Sequence, residues 1–287
     1  MSLFVEVARA RSFRRAAEAL GMPSSTLSRR IVALERAIGL RLLHRTTRRI
    51  ELTEAGQIYF ERSRHIVEEA RLAHEQLGGL VSQPRGVLRV SLPVDFATVF
   101  LARCLPGFCR RYPEIEFEFD LTPRRVDLVA EPFDVAIRMG ELPDSHLISR
   151  KIAEVPRYLY ASPQYLDVHG QPRNPDELAR HACLLFPNES KWTLLRDGVK
   201  REVCVAGRFR LNNVGMMQRL AVEGLGIAML AEEAVRATPA ARHLRRVLPD
   251  WQASSIAVHA ITETRLLPAK TQHFIEYLKE HLSQRAA

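Results

Sequence analysis

The chain has 287 residues, 46% hydrophobic and 26% charged, with a net charge of +9 from 42 Lys and Arg against 33 Asp and Glu. This composition describes a globular protein of about two domains and excludes a disordered or collagen-like chain. No apolar run approaches the ~20 residues of a membrane span, and no signal-like segment opens the chain, so the protein is expected in the cytoplasm.

The charge is concentrated at one end. Residues 1–50 hold eleven Arg, no Lys and three Glu, a local charge of +8. Such a patch is the electrostatic footprint of a surface that binds a polyanion. In the same stretch Phe4, Val7 and Ala8 outline one helix and Phe13, Ala16, Ala17 and Leu20 a second. Leu27, Ile31, Leu34 and Ile38 then fall at steps of four, three and four, one stripe of a third helix. Between the second and third, Gly21 suits the left-handed residue past a helix end and Ser24 suits an N-cap.

Helix, tight turn and helix on a three-helix core make a helix-turn-helix. The stripe of the third helix faces inward. Ser24, Ser25, Thr26, Ser28, Arg29 and Arg30 are left to donate to phosphates and base edges of double-stranded DNA. After Gly39, residues 42–44 and 50–52 read as two short strands around a basic hairpin. Arg45, Thr46, Arg48 and Arg49 of that hairpin are candidate DNA contacts of a wing.

Thr53 can cap a helix that Glu54 opens and that runs to Leu77. Tyr59, Ile66, Ala70, Ala73, Leu77 and Leu80 are spaced like the seam of a two-stranded coiled coil, which implies a homodimer. Gly78, Gly79 and Pro84 then break the helix into a hinge. The expected division is 1–53 for DNA binding, 54–85 for the linker helix and hinge, and 86–287 for the remainder.

From residue 86 short strands alternate with helices, an α/β pattern. Strands are expected at 88–92, 115–121, 135–139, 155–161, 183–186, 203–205, 209–211, 227–230 and 255–260. Helices are expected around Leu101, Leu105 and Phe108, over 214–222, and along Phe274, Tyr277, Leu278 and Leu282. The strands fall into two lobes, 86–161 with 255–287 and 162–254, with a crossover at Ser162 and Pro163.

Enzyme motifs are missing: there is no H-E-x-x-H, no G-x-S-x-G and no Walker-type loop, and Gly224-Leu225-Gly226 lacks the third glycine of a dinucleotide fingerprint. Cys104, Cys109, Cys183 and Cys204 form no C-x-x-C pair or zinc-like cluster and read as buried thiols, with a redox pair between Cys183 and Cys204 as the minority alternative. No metal and no cofactor are expected.

The order Phe4, Val7-Ala8, Ser12-Phe13, Ala16-Ala17, Leu20, Leu27-Ser28, Ile31, Leu34-Glu35, Gly39, Leu42-Leu43, Arg45, Arg48, Leu52-Thr53 and Ala55-Gly56 resembles the winged helix-turn-helix of LysR-type transcriptional regulators. Looser similarity continues through Leu88-Arg89-Val90-Ser91, Tyr112-Pro113-Glu114-Ile115, residues 127–129 and 133–138, and Gly224-Leu225-Gly226-Ile227-Ala228.

The resemblance implies a fold of three parts: an amino-terminal winged helix-turn-helix, a long linker helix, and a two-lobed α/β effector domain similar to periplasmic binding proteins. It also implies a homodimer or homotetramer on an inverted-repeat operator and a small organic effector between the lobes. By position, the effector-binding candidates are Pro93, Val94, Asp95, Phe96, Arg138, Ser162, Asn213 and Val214. Asp95, Asn213 and Arg138 have plainer readings as caps or a surface ion pair. An anionic effector is expected to prefer Arg138 and the Asn213 end. The rival readings are a DNA binder without small-ligand control and a thiol-based redox-responsive regulator.

Overall fold

The computed structural model describes residues 1–45, 50–79, 84–124 and 126–283. It divides into two compact units, Met1–Ser82 and Gln83–Ala287.

In the first unit, α1 (Ser2–Ala10), α2 (Phe13–Ala19) and α3 (Ser24–Ile38) enclose a core of Phe4, Val7, Ala16, Ala17, Leu27, Ile31, Leu42 and Leu43. Ser12 caps α2 through Arg15 N at 3.4 Å, and Gly21, with φ +60°, makes the turn into α3. Ser24 does not cap that helix. Pro23 holds the N-cap position with extended backbone, and Ser24 is the first helical residue.

Strands β1 (Leu43–Arg45) and β2 (Ile50–Leu52) pair antiparallel. The Glu35 carboxylate near the end of α3 accepts Leu42 N at 2.9 Å and Leu43 N at 3.1 Å, fastening the base of this hairpin to the helix. Helix α4 (Glu54–Gly79) is capped by the Thr53 hydroxyl, which accepts Gly56 N at 2.9 Å and donates to Arg41 O at 2.7 Å. At Gly56 a Cβ would stand 1.9 Å from Leu42 O, so only glycine lets α4 pass this close to the backbone just ahead of β1. The helix continues through Gly78 and Gly79, beyond the expected end at Leu77, for about 39 Å at 1.5 Å per residue.

Among the described residues of the second unit, ten strands form one mixed sheet. In the first lobe β3 (Gly86–Leu92) lies parallel to β4 (Ile115–Leu121) and β5 (Val135–Met139). Between β3 and β4 the chain forms α5 (Val94–Phe96), a π-helical turn Ala97–Leu101, and α6 (Ala102–Arg111). Leu88, Val90, Leu92, Leu101, Phe108 and Val135 fill this core, which α10 (Ala269–Ser283) covers with Phe274 and Leu278. Each such fully buried side chain is worth about 1.5–3 kcal/mol.

Two long strands join the lobes. The first half of β6 (Ile148–Ala161) pairs with β12 (Gln252–Thr262), and its second half with β10 (Ile227–Ala231) and β11 (Arg245–Val247). Val155 belongs to the core of the first lobe and Leu159 to that of the second. The crossing therefore lies within the strand near Pro156, ahead of the expected Ser162.

The second lobe adds α7 (Pro163–His169), β7 (Cys183–Leu184), β8 (Lys191–Arg196), β9 (Val199–Cys204), α8 (Val214–Val222) and α9 (Glu232–Ala237). Residues 209–211, expected as a strand, make one isolated bridge from Arg210 to Leu185. Strand β8 carries the fully buried Trp192 and was not expected. The thiols divide: Cys104 and Cys183 are buried, whereas Cys109 and Cys204 are exposed, contrary to the reading of all four as buried.

Candidate nucleic-acid interface and effector cleft

Helix α3 turns Leu27 and Ile31 into the core and leaves Ser24, Ser25, Arg29 and Arg30 exposed, with Thr26 and Ser28 half-buried beside them. Its first turn contains no acidic residue. The positive end of the helix dipole, unfilled backbone N–H groups and short hydroxyls therefore meet at one point, an arrangement that favours phosphate. Arg29 and Arg36 lie seven residues apart, two helical turns along one outer face. Their forked guanidiniums suit paired acceptors such as guanine O6 and N7. The backbone of Arg45 ends β1, while Thr46, Arg48 and Arg49 lie outside the described residues.

In the second unit, the expected effector residues separate into three environments. Asp95, in α5 of the first lobe, reaches the amino terminus of α8 in the second. Its carboxylate accepts Val214 N at 2.8 Å, Gly215 N at 3.0 Å and Asn213 Nδ2 at 3.3 Å. Asn213 itself caps α8, its Oδ1 accepting Met216 N at 2.7 Å. The reading of Asp95 as a local N-cap is thus overturned, since Pro93 takes that place and Asp95 caps a helix of the opposite lobe. The expectation that an anion prefers the Asn213 end fails for the same reason: a carboxylate of the protein already occupies those N–H groups. Pro93 and Val94 lie half-buried on the same turn.

Phe96 and Ser162 do not line an open cleft. Phe96 is fully buried and stacks on Phe100 at 5.5 Å between ring centroids. Ser162 is buried and caps α7, its hydroxyl accepting Tyr165 N at 3.2 Å.

Arg138 is no surface ion pair. Its guanidinium donates to Ser91 O at 3.1 Å, Ile137 O at 2.7 Å, Ser91 Oγ at 2.9 Å and Arg124 O at 2.7 Å. Burial lowers its pKa, with Asp120 opposing that shift from a distance. Periodicity could not reveal this: Arg138 occupies an inward strand position where an apolar residue is the default, and a cation in that place was the available signal.

Sequence reasoning missed Arg157, a half-buried guanidinium on β6 at the crossing. It donates to Ser254 O at 2.9 Å and Ser254 Oγ at 3.2 Å. Burial in lobe two holds the Cys183 thiol up at about 12, which keeps it protonated and unreactive and disfavours the redox reading. No group of three or more metal-ligating side chains occurs among the described residues, and no helix there is long and apolar enough to cross a membrane.

Residues 1–57 match the bacterial regulatory helix-turn-helix protein of the lysR family, and residues 82–283 match the LysR substrate binding domain. The chain is 34% identical over 289 residues to an HTH-type transcriptional regulator of Xanthomonas campestris pv. campestris, covering 98% of this chain and 84% of that one. The solved structure of CrgA, a LysR-type transcriptional regulator from Neisseria meningitidis, is 30% identical with a TM-score of 0.61 and covers 98% of this chain and 97% of its own. Full-length AphB, the Vibrio cholerae virulence activator, is 30% identical with a TM-score of 0.57 and covers 98% of each chain. An amino-terminal helix-turn-helix with a cationic outer face and a two-lobed α/β domain thus coincide with family matches along nearly the whole length. The chain belongs to the LysR family of DNA-binding transcriptional regulators, which respond to small-molecule effectors.

Proposed function

We propose that this regulator reads an inverted-repeat operator as a homodimer, or a homotetramer built from such dimers, in the cytoplasm. Residues 1–53 bind DNA, 54–85 link and dimerise, and 86–287 sense the effector. Ser25, Ser28 and Arg29 meet base edges in the major groove. Ser24, Thr26 and Arg30 hold phosphates on either side, and Arg45, Thr46, Arg48 and Arg49 of the wing grip the flanking backbone.

The observation that carries this reading is the exposure of Ser24, Ser25, Arg29 and Arg30 on a helix whose other face is locked into a core. Arg29→Ala is expected to abolish discrimination between an operator and a scrambled duplex. Arg49→Ala is expected to weaken both about equally and reduce the salt slope by about 0.9. Parent-like footprints from both variants contradict the assignment.

The Asp95 contact with α8 supports a reading of the two lobes as held together by an internal carboxylate. An effector entering the cleft beside Pro93, Val94 and Asn213 must compete with that carboxylate or act without disturbing it. Displacement separates the lobes and shifts the population of DNA-binding states.

A further inference from the structure

A pocket of about 410 Å³ opens in the first lobe, between the sheet face that bears Arg138 and the segments that follow β4 and β5. That volume falls within the range of roughly 300–1,000 Å³ that takes small organic ligands. Val126, Leu128, Leu142, Leu147 and Ile261 give it an apolar wall. Arg138, only 9% accessible, is the cation among its described lining residues.

The hydrogen bonds of Arg138 are satisfied, but its charge is offset by Asp120 only from a distance. All four acceptors are uncharged: three backbone carbonyls and the Ser91 hydroxyl. Among the described residues no carboxylate oxygen comes within 4.0 Å of the guanidinium. A buried unit charge without a counter-ion in contact is costly, and an anion supplied from outside would relieve it. At the mouth, Ser145 Oγ accepts Leu147 N at 3.2 Å and so keeps its own proton for a ligand. Glu141 and Asp144, both exposed, stand there too and repel a second negative charge.

We infer that this pocket binds a small organic monocarboxylate of about the size of benzoate, its carboxylate toward Arg138 and its apolar body against the Leu128 and Ile261 wall. The inference rests on the effector-responsive reading and moves the ligand from the helix end that Asp95 occupies into the first lobe. Dicarboxylates are disfavoured by Glu141 and Asp144.

The test is fluorine NMR of para-fluorobenzoate with the full-length protein, beside its uncharged isostere para-fluorobenzamide. The parent should bind the acid at least about tenfold more tightly than the amide, the scale of a charge-assisted contact. Arg138→Gln should remove that preference. Ser149→Phe, at an exposed rim position that tolerates a larger side chain, should exclude both probes while the fold stays intact. Equal binding of acid and amide, no binding at about 10 mM, or parent-like binding in Ser149→Phe overturns the pocket. Binding that survives Ser149→Phe but is lost in Asn213→Ala places the ligand between the lobes, which overturns the pocket and leaves effector responsiveness standing.

Discussion

Asp95 shows how one side chain can change the meaning of a site. The residue types at 95 and 213 both read as caps, and both are caps, but Asp95 serves a helix more than a hundred residues away across the lobe boundary. No local pattern encodes that partner, because tertiary closure alone brings the carboxylate to the Val214 and Gly215 N–H groups. Asp95→Ala is expected to cost about 1 kcal/mol, as for other lost helix caps. It should also speed amide hydrogen exchange at Val214 and Gly215; parent-like protection at both amides would show that the contact does not hold in solution. Glu131 offers a second residue-scale test. Hydrogen bonds from Arg124, at 2.6 and 2.9 Å, and from Asp127 N lower its pKa from 4.5 to about 2. A depressed folded-state pKa stabilises the fold above about 4.5, and that contribution is lost as pH falls toward 2. Glu131→Gln should therefore be less stable than the parent at neutral pH and converge with it only as pH approaches about 2 in denaturant titrations. A gap that stays constant with pH would contradict the pairing.

At the scale of elements, the short helices and the wing base were legible because core stripe, turn glycine and cap agree with one another. The third helix was misjudged by one position at Pro23, an ambiguity inherent in helix ends. The linker helix is more instructive. Its seam was expected to begin at Tyr59, yet that ring packs on Phe4 at 5.4 Å and belongs to the core of its own unit. An apolar residue at a heptad position carries no label saying which partner it meets. Ile66, 53% accessible, becomes the first candidate for an intermolecular contact; the side chains of Ala73 and Leu77, and all of Leu80, lie outside the described residues. Ile66→Glu should shift the protein from dimer to monomer in sedimentation velocity at low micromolar concentration without lowering the melting temperature of the effector domain. An unchanged sedimentation coefficient would remove α4 from the dimer interface.

For the whole molecule, the α/β alternation and the return of β12 to the first lobe could be read from apolar runs bounded by turns. Strand β8 could not, since Lys191, Trp192, Thr193 and Leu194 form a run too short and too polar to separate from a loop, with burial of Trp192 decided by the second-lobe core that includes Tyr165 and Leu178. The crossing inside β6 was hidden because a strand shared by two lobes has no break in its sequence. The effector site was the least legible part. Of its expected residues, Phe96 went to the core, Ser162 to a cap and Arg138 to a pocket of the first lobe, because burial and partner choice depend on contacts distant in sequence.

The cationic amino-terminal unit is the part of the chain through which control of transcription runs. The most direct measurement is a nuclease footprint of the purified protein on the DNA upstream of its own gene, repeated across a salt series. A protected inverted repeat is expected, its occupancy falling steeply with salt by roughly 0.9 log unit per log unit of salt for each phosphate neutralised. Uniform coverage with no preferred site, fading evenly as salt rises, would contradict it.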